Sequence, residues 1–259
     1  MNNTFGLFKE KFIEIEQMGW IPSHRAGNDG GVGNTLEDLL EIAENNYQLP
    51  DMGEWEIKSH RSASSSLLTL FHTEPEPREA KIVPSILLPK YGWKHQEAGV
   101  KYPNSERNFR ATLHFTEYSD RGFKVALDYE ARQLYIDFYY TKISDRHNDW
   151  KEALEKGVGL DNFAIRPFWS FDSIQRILDT KIANLLYVSV DRKTVDGIEY
   201  FKYRSFEAYM QPTLERFLRL VEDGSIYVDF DARTGHNHGT KIRIRPSRKI
   251  DLYDIHIEV

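Results

Sequence analysis

The chain has 259 residues, a net charge of −6 and no cysteine, which excludes disulfides, thiolate zinc sites and a cysteine nucleophile and weighs against a protein that merely coats nucleic acid. Apolar residues make up 40% and charged residues 29%, an ordinary soluble balance with roughly 70–75% of the unfolded surface open to burial. No apolar run approaches the ~20 residues of a membrane span, and Met1–Glu16 lacks the apolar core of a signal peptide, so a cytoplasmic protein is expected.

Phe5, Phe8, Phe12, Ile13 and Ile15 among charges predict an amphipathic helix over 5–18. A loop containing Gly27, Gly30, Gly31 and Gly33 follows, and Thr35 with Asp38 gives a capping signature for a helix through about Asn45. Pro50 stops the chain; Trp55-Glu56-Ile57-Lys58 begins a strand, and the apolar run Leu67–Phe71 comes after it. Residues 74–110, rich in Pro, Lys, Arg and Glu, predict a loop or insertion. Period-two strands are expected at about 111–117, 122–129 and 132–140, then a helix at about 170–182. Leu185–Val190 and Ile198–Tyr203 flank the hairpin turn Asp196-Gly197. A helix from near Pro212 closes at Gly224, and strands at 225–230, 241–245 and about 252–259 end the chain. The mixture points to an α/β fold with a recognition lobe towards the C-terminus.

The stretch Pro50-Asp51-Met52-Gly53-Glu54-Trp55-Glu56-Ile57-Lys58 carries the chemistry. Residues two apart on a strand share a face, so Glu56 and Lys58 stand about 6–7 Å apart at the backbone while Ile57 faces the core. Asp51 can reach the same spot from the adjoining turn. Two carboxylates offer hard oxygen ligands to Mg²⁺; the metal would lower the pKa of a bound water and stabilise charge on a phosphodiester in hydrolysis. An ammonium beside them can orient the nucleophile. Glu37, expected on the first turn of its helix, could add a carboxylate from behind. Glu-x-Lys alone is a weak signal, with a second copy and an Asp-x-Lys rival elsewhere in the chain. Glu79-Ala80-Lys81 lacks strand character, and Asp191-Arg192-Lys193, with Asp179 upstream, runs into a hairpin turn. A solvated strand face explains Glu56 and Lys58 equally well on spacing alone.

Towards the C-terminus, Lys241-Ile242-Arg243-Ile244-Arg245 alternates cation and isoleucine, with Arg248 and Lys249 beyond. Three cations then line one strand face and can contact phosphates, and an arginine can pair in bidentate fashion with guanine. The preceding turn offers Arg233, His236 and His238. A charged edge strand that resists aggregation would look the same. His236-x-His238 has no evident third metal ligand. In the glycine loop, Asn28 and Asn34 stand where a phosphate-binding loop needs glycine and lysine, which argues against nucleotide hydrolysis.

The chain resembles the MvaI and BcnI type of restriction endonucleases, relatives of the mismatch-repair nickase MutH. The matching residues are Gly31–Leu40, Asn45-Asn46, Pro50-Asp51, Glu56-Ile57-Lys58, Leu67–Phe71, Trp169–Ser173 and His236–Thr240, in order along the chain; 74–165 matches poorly. The resemblance implies a PD-(D/E)XK core, a mixed β-sheet flanked by helices, with a catalytic lobe at 1–204 and a DNA-recognition lobe at 205–259. It implies a type II restriction endonuclease that cuts double-stranded DNA with Mg²⁺ at a CC-N-GG-class site, as a monomer in a bacterial or archaeal cytoplasm, beside a cognate methyltransferase. Asp51, Glu56 and Lys58 would be catalytic with Glu37 assisting; Asp51, Glu56 and the Ile57 carbonyl would hold the metal. Arg233, His236, His238, Lys241, Arg243 and Arg245 would contact DNA, and His72 could touch the minor groove. One departure stands out: Asp231, in Val228-Asp229-Phe230-Asp231, occupies a position where the family pattern leads one to expect arginine. A MutH-like strand-nicking enzyme and a non-catalytic DNA-binding module are the alternatives.

Overall fold

The computed structural model describes residues 3–23, 31–42, 50–61, 65–160 and 163–259. Helix α1 (Asn3–Gln17) leads to β1 (Ile21–Pro22), α2 (Gly31–Leu39), β2 (Glu56–Arg61) and β3 (Leu68–His72). A wide π-type helix over Val83–Tyr91 precedes β4 (Trp93–Lys94), β5 (Arg107–Leu113), β6 (Arg121–Asp128) and β7 (Gln133–Ile143). Then come α3 (Asn148–Val158), β8 (Phe168–Ser170), α4 (Phe171–Asp179), β9 (Asn184–Val195) and β10 (Ile198–Pro212). The chain ends with α5 (Leu214–Glu222), β11 (Ile226–Arg233), β12 (His236–Ile244) and β13 (Tyr253–Glu258). No helix among the described residues is long and apolar enough to cross a membrane.

Two compact units form, and neither is continuous in sequence: Met1–Ser66 with Gln175–Arg216 and Lys249–Val259, and Leu67–Ile174 with Phe217–Arg248. The expected boundary at 204/205 is thereby corrected. It falls inside β10, whose ladder with β9 runs from Ile198 to Met210 and leaves no place to divide the chain.

In the first unit the sheet has the order β1-β10-β9-β2, with β13 also paired to β10. Strand β2 lies at an edge and runs parallel to β9, whereas the other pairings are antiparallel. One sheet face is apolar because alternate residues Ile57, Leu186, Val188, Phe206 and Ala208 point the same way. Phe5, Phe8, Phe12 and Ile15 of α1 and Val32 and Leu36 of α2 close over it. Ile13, one position off this stripe, is exposed. Burial of each such phenylalanine stabilises the fold by about 1.5–3 kcal/mol.

Helix α2 departs from the expected cap. It already includes Gly31, so Thr35 lies within it and its hydroxyl donates to the Gly31 carbonyl at 2.7 Å instead of capping the helix. Glu37 is consequently not on the first turn. The helix stops near Leu40 because Glu41 takes a left-handed conformation (φ 58°), letting Ile42 N bond the Glu37 carbonyl at 2.9 Å. Gly27, Asn28, Gly30, Asn45 and Asn46 lie outside the described residues.

The second unit holds two sheets, ordered β3-β12-β11-β5-β4 and β6-β7-β8. Phe109, Phe123, Phe138, Phe230 and Trp169 fill its core, and Trp169 Nε1 donates to the Thr73 carbonyl at 3.1 Å. The region expected to be loop at 74–110 is substantially built. Val83, Leu87, Leu88 and Tyr91 bury one side of the π-type helix despite Pro84 and Pro89. Helix α3 and strand β8 were not expected from the sequence, and α4 ends at Asp179, short of 182.

Candidate active site

Just before β2 the chain makes a tight turn. Met52 and Trp55 exchange both backbone hydrogen bonds at 2.9 Å, and Gly53 adopts φ +62°. Asp51 is thereby folded back on the strand, and its Oδ2 accepts from Ile57 N at 2.9 Å. Because a strand residue's N–H and C=O point to the same side, Ile57 presents its carbonyl to the open edge of β2 that Asp51 occupies.

Glu56 and Lys58 share the sheet face opposite Ile57. Glu56 is 1% exposed, and the Lys58 ammonium donates to its Oε1. Lys181, from the connection between α4 and β9, places Nζ 3.4 Å from Glu56 Oε2. That oxygen is buried and has no hydrogen-bond donor among the described residues. Burial and then the Glu56 charge push the pKa of the enclosed Tyr253 phenol up. Glu37 enters from α2: a Cβ built on Gly33 would sit 4.0 Å from Glu37 Oε1 and 3.6 Å from Ser59 Oγ. The third carboxyl therefore lies near Ser59, on the sheet face of Ile57 that α2 covers, opposite the face of Glu56 and Lys58. Asp51, Glu56, Lys58 and Glu37 all belong to the first unit.

The rival patterns have ordinary partners. Asp191 accepts from Arg204 Nε at 2.6 Å within the β9–β10 hairpin, and Asp179 accepts from Gln175 at 2.7 Å. Glu79 and Ala80 lie in a single 3₁₀ turn and Lys81 follows it, so this copy has no strand to present it.

The residues expected to read DNA lie in the second unit. Strand β12 alternates as expected, with Ile242 and Ile244 buried and Lys241 and Arg243 outward; Arg245, just past its end, is exposed. It runs between β3 and β11 and is no edge strand. Its cations carry acidic partners. Arg243 donates Nη1 to Asp229 at 3.1 Å and Nη2 to the Leu67 carbonyl at 2.7 Å. Asp231 sits 2.8 Å from Arg110 and 3.4 Å from Lys241. These side chains, with Thr112, line a cleft of about 390 Å³. Arg245 Nε donates to Tyr227 at 2.9 Å. Arg233 pairs with buried Glu106 at 3.3 Å and lies over the Tyr102 ring. His236 and His238 are exposed at the β11–β12 turn, their rings 4.3 Å apart edge to face. His72 is exposed on β3 opposite Lys241. Arg248 and Lys249 do not extend the row, being engaged by Asp223 and Glu207.

Sequence reasoning missed Lys181, Arg110 and Asp229. The first lay in a stretch predicted as helix. The other two belong to neighbouring strands whose register no local pattern specifies.

A family model described as the MvaI/BcnI restriction endonuclease family matches residues 9–253. No curated protein matches. Among solved structures, the restriction endonuclease MvaI–cognate DNA substrate complex superposes with a TM-score of 0.80 at 26% identity, covering 100% of this chain and 99% of that one. Restriction endonuclease MvaI in the absence of DNA gives a TM-score of 0.53 at 26% identity, covering 100% and 98%. A carboxylate pair and lysine at the start of an edge strand, on a mixed sheet backed by helices, agree with that match. The chain belongs to the MvaI/BcnI restriction endonuclease family, type II site-specific endonucleases of the PD-(D/E)XK class.

Proposed function

We propose that the protein cuts double-stranded DNA at a short CC-N-GG-class site with Mg²⁺, as a monomer that severs the two strands in successive events. A cognate methyltransferase would protect the host genome, and the bacterial or archaeal cytoplasm is where the pair would act. The first unit would be the catalytic lobe and the second the DNA-reading lobe. The observation that carries the reading is the convergence of Asp51, Glu56 and Lys58 at the start of β2.

The residues fit a divalent ion. Glu56 Oε2 is a buried acceptor without a donor among the described residues, Asp51 is folded onto the same strand, and the Ile57 carbonyl faces the open edge. Asp51, Glu56 and that carbonyl would hold Mg²⁺, a hard cation that takes oxygen ligands. When bound, it supplies a water of lowered pKa and neutralises charge on the scissile phosphate. Lys58 would leave Glu56 to orient the attacking water and contact the phosphate, and Glu37 would assist from behind, from the Ser59 face of the strand. Arg243, Lys241 and Arg245 would face the duplex from β12, with Arg233, His236 and His238 at the adjoining turn and His72 beside them.

Incubation of supercoiled plasmid with protein and Mg²⁺ tests the reading. Linear product followed by discrete fragments is expected; open circle alone would indicate a nicking enzyme, and intact supercoil a binding module. Sequencing the ends of digested genomic DNA then gives the site and the cut position.

A further inference from the structure

We propose that Lys181 is a second ammonium of the active site, a positioning residue that holds Glu56 when no metal is bound and yields its place to the incoming cation. The inference rests on the metal site proposed above.

A carboxylate that is 1% exposed is strongly penalised unless each oxygen finds a positive or donating partner. In Glu56 the two oxygens have different partners. Oε1 takes a short hydrogen bond from Lys58, two residues along the same strand. Oε2 has the Lys181 ammonium at 3.4 Å yet accepts no hydrogen bond from any described residue. Lys181 thus supplies charge without saturating the lone pairs. A partner held in this way is one that a harder cation can replace.

The position of Lys181 is built by the fold. Helix α4 ends at Asp179, where Ile182 N bonds the Ile177 carbonyl at 3.2 Å and the Ile182 side chain is buried. Asn184 Nδ2 then donates to the Glu54 carbonyl at 3.2 Å, which ties this connection to the turn in front of β2. From there β9 pairs Leu185 with Glu56 in parallel register. The Lys181 side chain is only 19% exposed.

The charges of Asp51, Glu56, Lys58 and Lys181 sum to zero. A dication added to that set meets two ammoniums at close range, and the scissile phosphate brings the negative charge that would offset one of them. The DNA-free enzyme should therefore bind metal weakly, with Lys181 as one cause.

Metal-stripped wild type, K181M, K181R and E56Q would be titrated with Mn²⁺ by calorimetry and melted in EDTA. K181M is expected to bind Mn²⁺ at least about tenfold more tightly, the order expected for removing one charge beside the ion, and to melt lower without metal. K181R should match wild type in both. Unchanged or weaker Mn²⁺ affinity in folded K181M overturns the proposal, whatever its melting temperature. A second readout needs no variant: amine-reactive labelling of wild-type Lys181, followed by mass spectrometry, should rise when Mn²⁺ is added, and constant labelling overturns the displacement. E56Q should lose Mn²⁺ binding; if it binds as wild type does, the metal-site reading itself fails, separately from the role of Lys181.

Discussion

The backbone nitrogen of Ile57 donates to Oδ2 of Asp51 across 2.9 Å, so the first carboxylate is anchored to the strand that carries the second. The interval between Asp51 and Glu56 is filled by the Met52–Trp55 turn, which reverses the chain just before the strand begins. The spacing of the two acids is therefore a property of that turn, and the turn depends on Gly53.

Gly53 has φ +62°, and a Cβ there would lie 3.1 Å from Thr4 Cγ2 and 3.3 Å from its Oγ1. Gly53→Ala should destabilise the protein by about 1–2 kcal/mol, from the left-handed backbone and the crowding together. Chemical denaturation measures it. Adding Thr4→Ala should recover the crowding part and leave the backbone part; no recovery would mean that the contact with α1 is unimportant.

Lys58→Ala should lower the cleavage rate by about 10³-fold, as removal of a donor aimed at developing charge does, while specific DNA binding without metal stays within about threefold of wild type. Single-turnover cleavage beside a gel-shift titration in EDTA separates the two. Cleavage per bound complex at the wild-type rate would remove Lys58 from the chemistry.

Much of the active site was legible because it is local: Asp51, Glu56 and Lys58 span eight residues, and strand periodicity alone puts the last two on one face. The cation row of β12 was legible for the same reason. What it faces was not. Asp229 and Asp231 reach Arg243, Lys241 and Arg110 through the ladders β11–β12 and β11–β5, pairings between segments more than a hundred residues apart in the second case. The boundary between units was missed because β10 is one 15-residue strand serving a sheet that also takes β1 and β2 from the start of the chain and β13 from its end. In 74–110, prolines mark a break in an α-helix, but the wider π-type turn accommodates Pro89 while keeping its apolar side buried. Helix α2 ends on Glu41 in the left-handed region, where a sequence rule looks for glycine.

The pairing of Arg243 with Asp229 gives base reading a measurable signature. Arg243→Ala should cost about 1–3 kcal/mol on the cognate site and much less on random duplex, as loss of a bidentate base contact does. Equal weakening on both would assign Arg243 to phosphate. Asp229→Asn, which removes the competing acceptor, should instead strengthen random binding and steepen its salt dependence by about one unit. Fluorescence anisotropy over a salt series reads both.

Glu207 should contribute to acid sensitivity, and it stands on the face of the sheet that carries the active site: Lys58 pairs with Tyr187, Tyr187 with Glu207, and Glu207 with Glu258. Its carboxylate takes hydrogen bonds from Lys249, from Tyr209 at 2.8 Å and from His256 at 3.2 Å. The Lys249 ammonium also lies 4.1 Å from the Tyr187 ring centre. Burial works to raise the pKa of Glu207, but the bonds from Lys249, Tyr209 and His256 outweigh it and hold the value below the ordinary 4.5. A folded-state pKa below the unfolded one gives stability that is complete above pH 4.5 and fades as pH falls through the folded value. Glu207→Gln should therefore melt well below wild type at pH 7, with a destabilisation of about 1–3 kcal/mol. The gap should narrow steadily below pH 4.5. A gap that stays constant down to pH 3 would show that the Glu207 charge contributes nothing to the fold, and that Lys249 is held over Tyr187 by the aromatic rings alone.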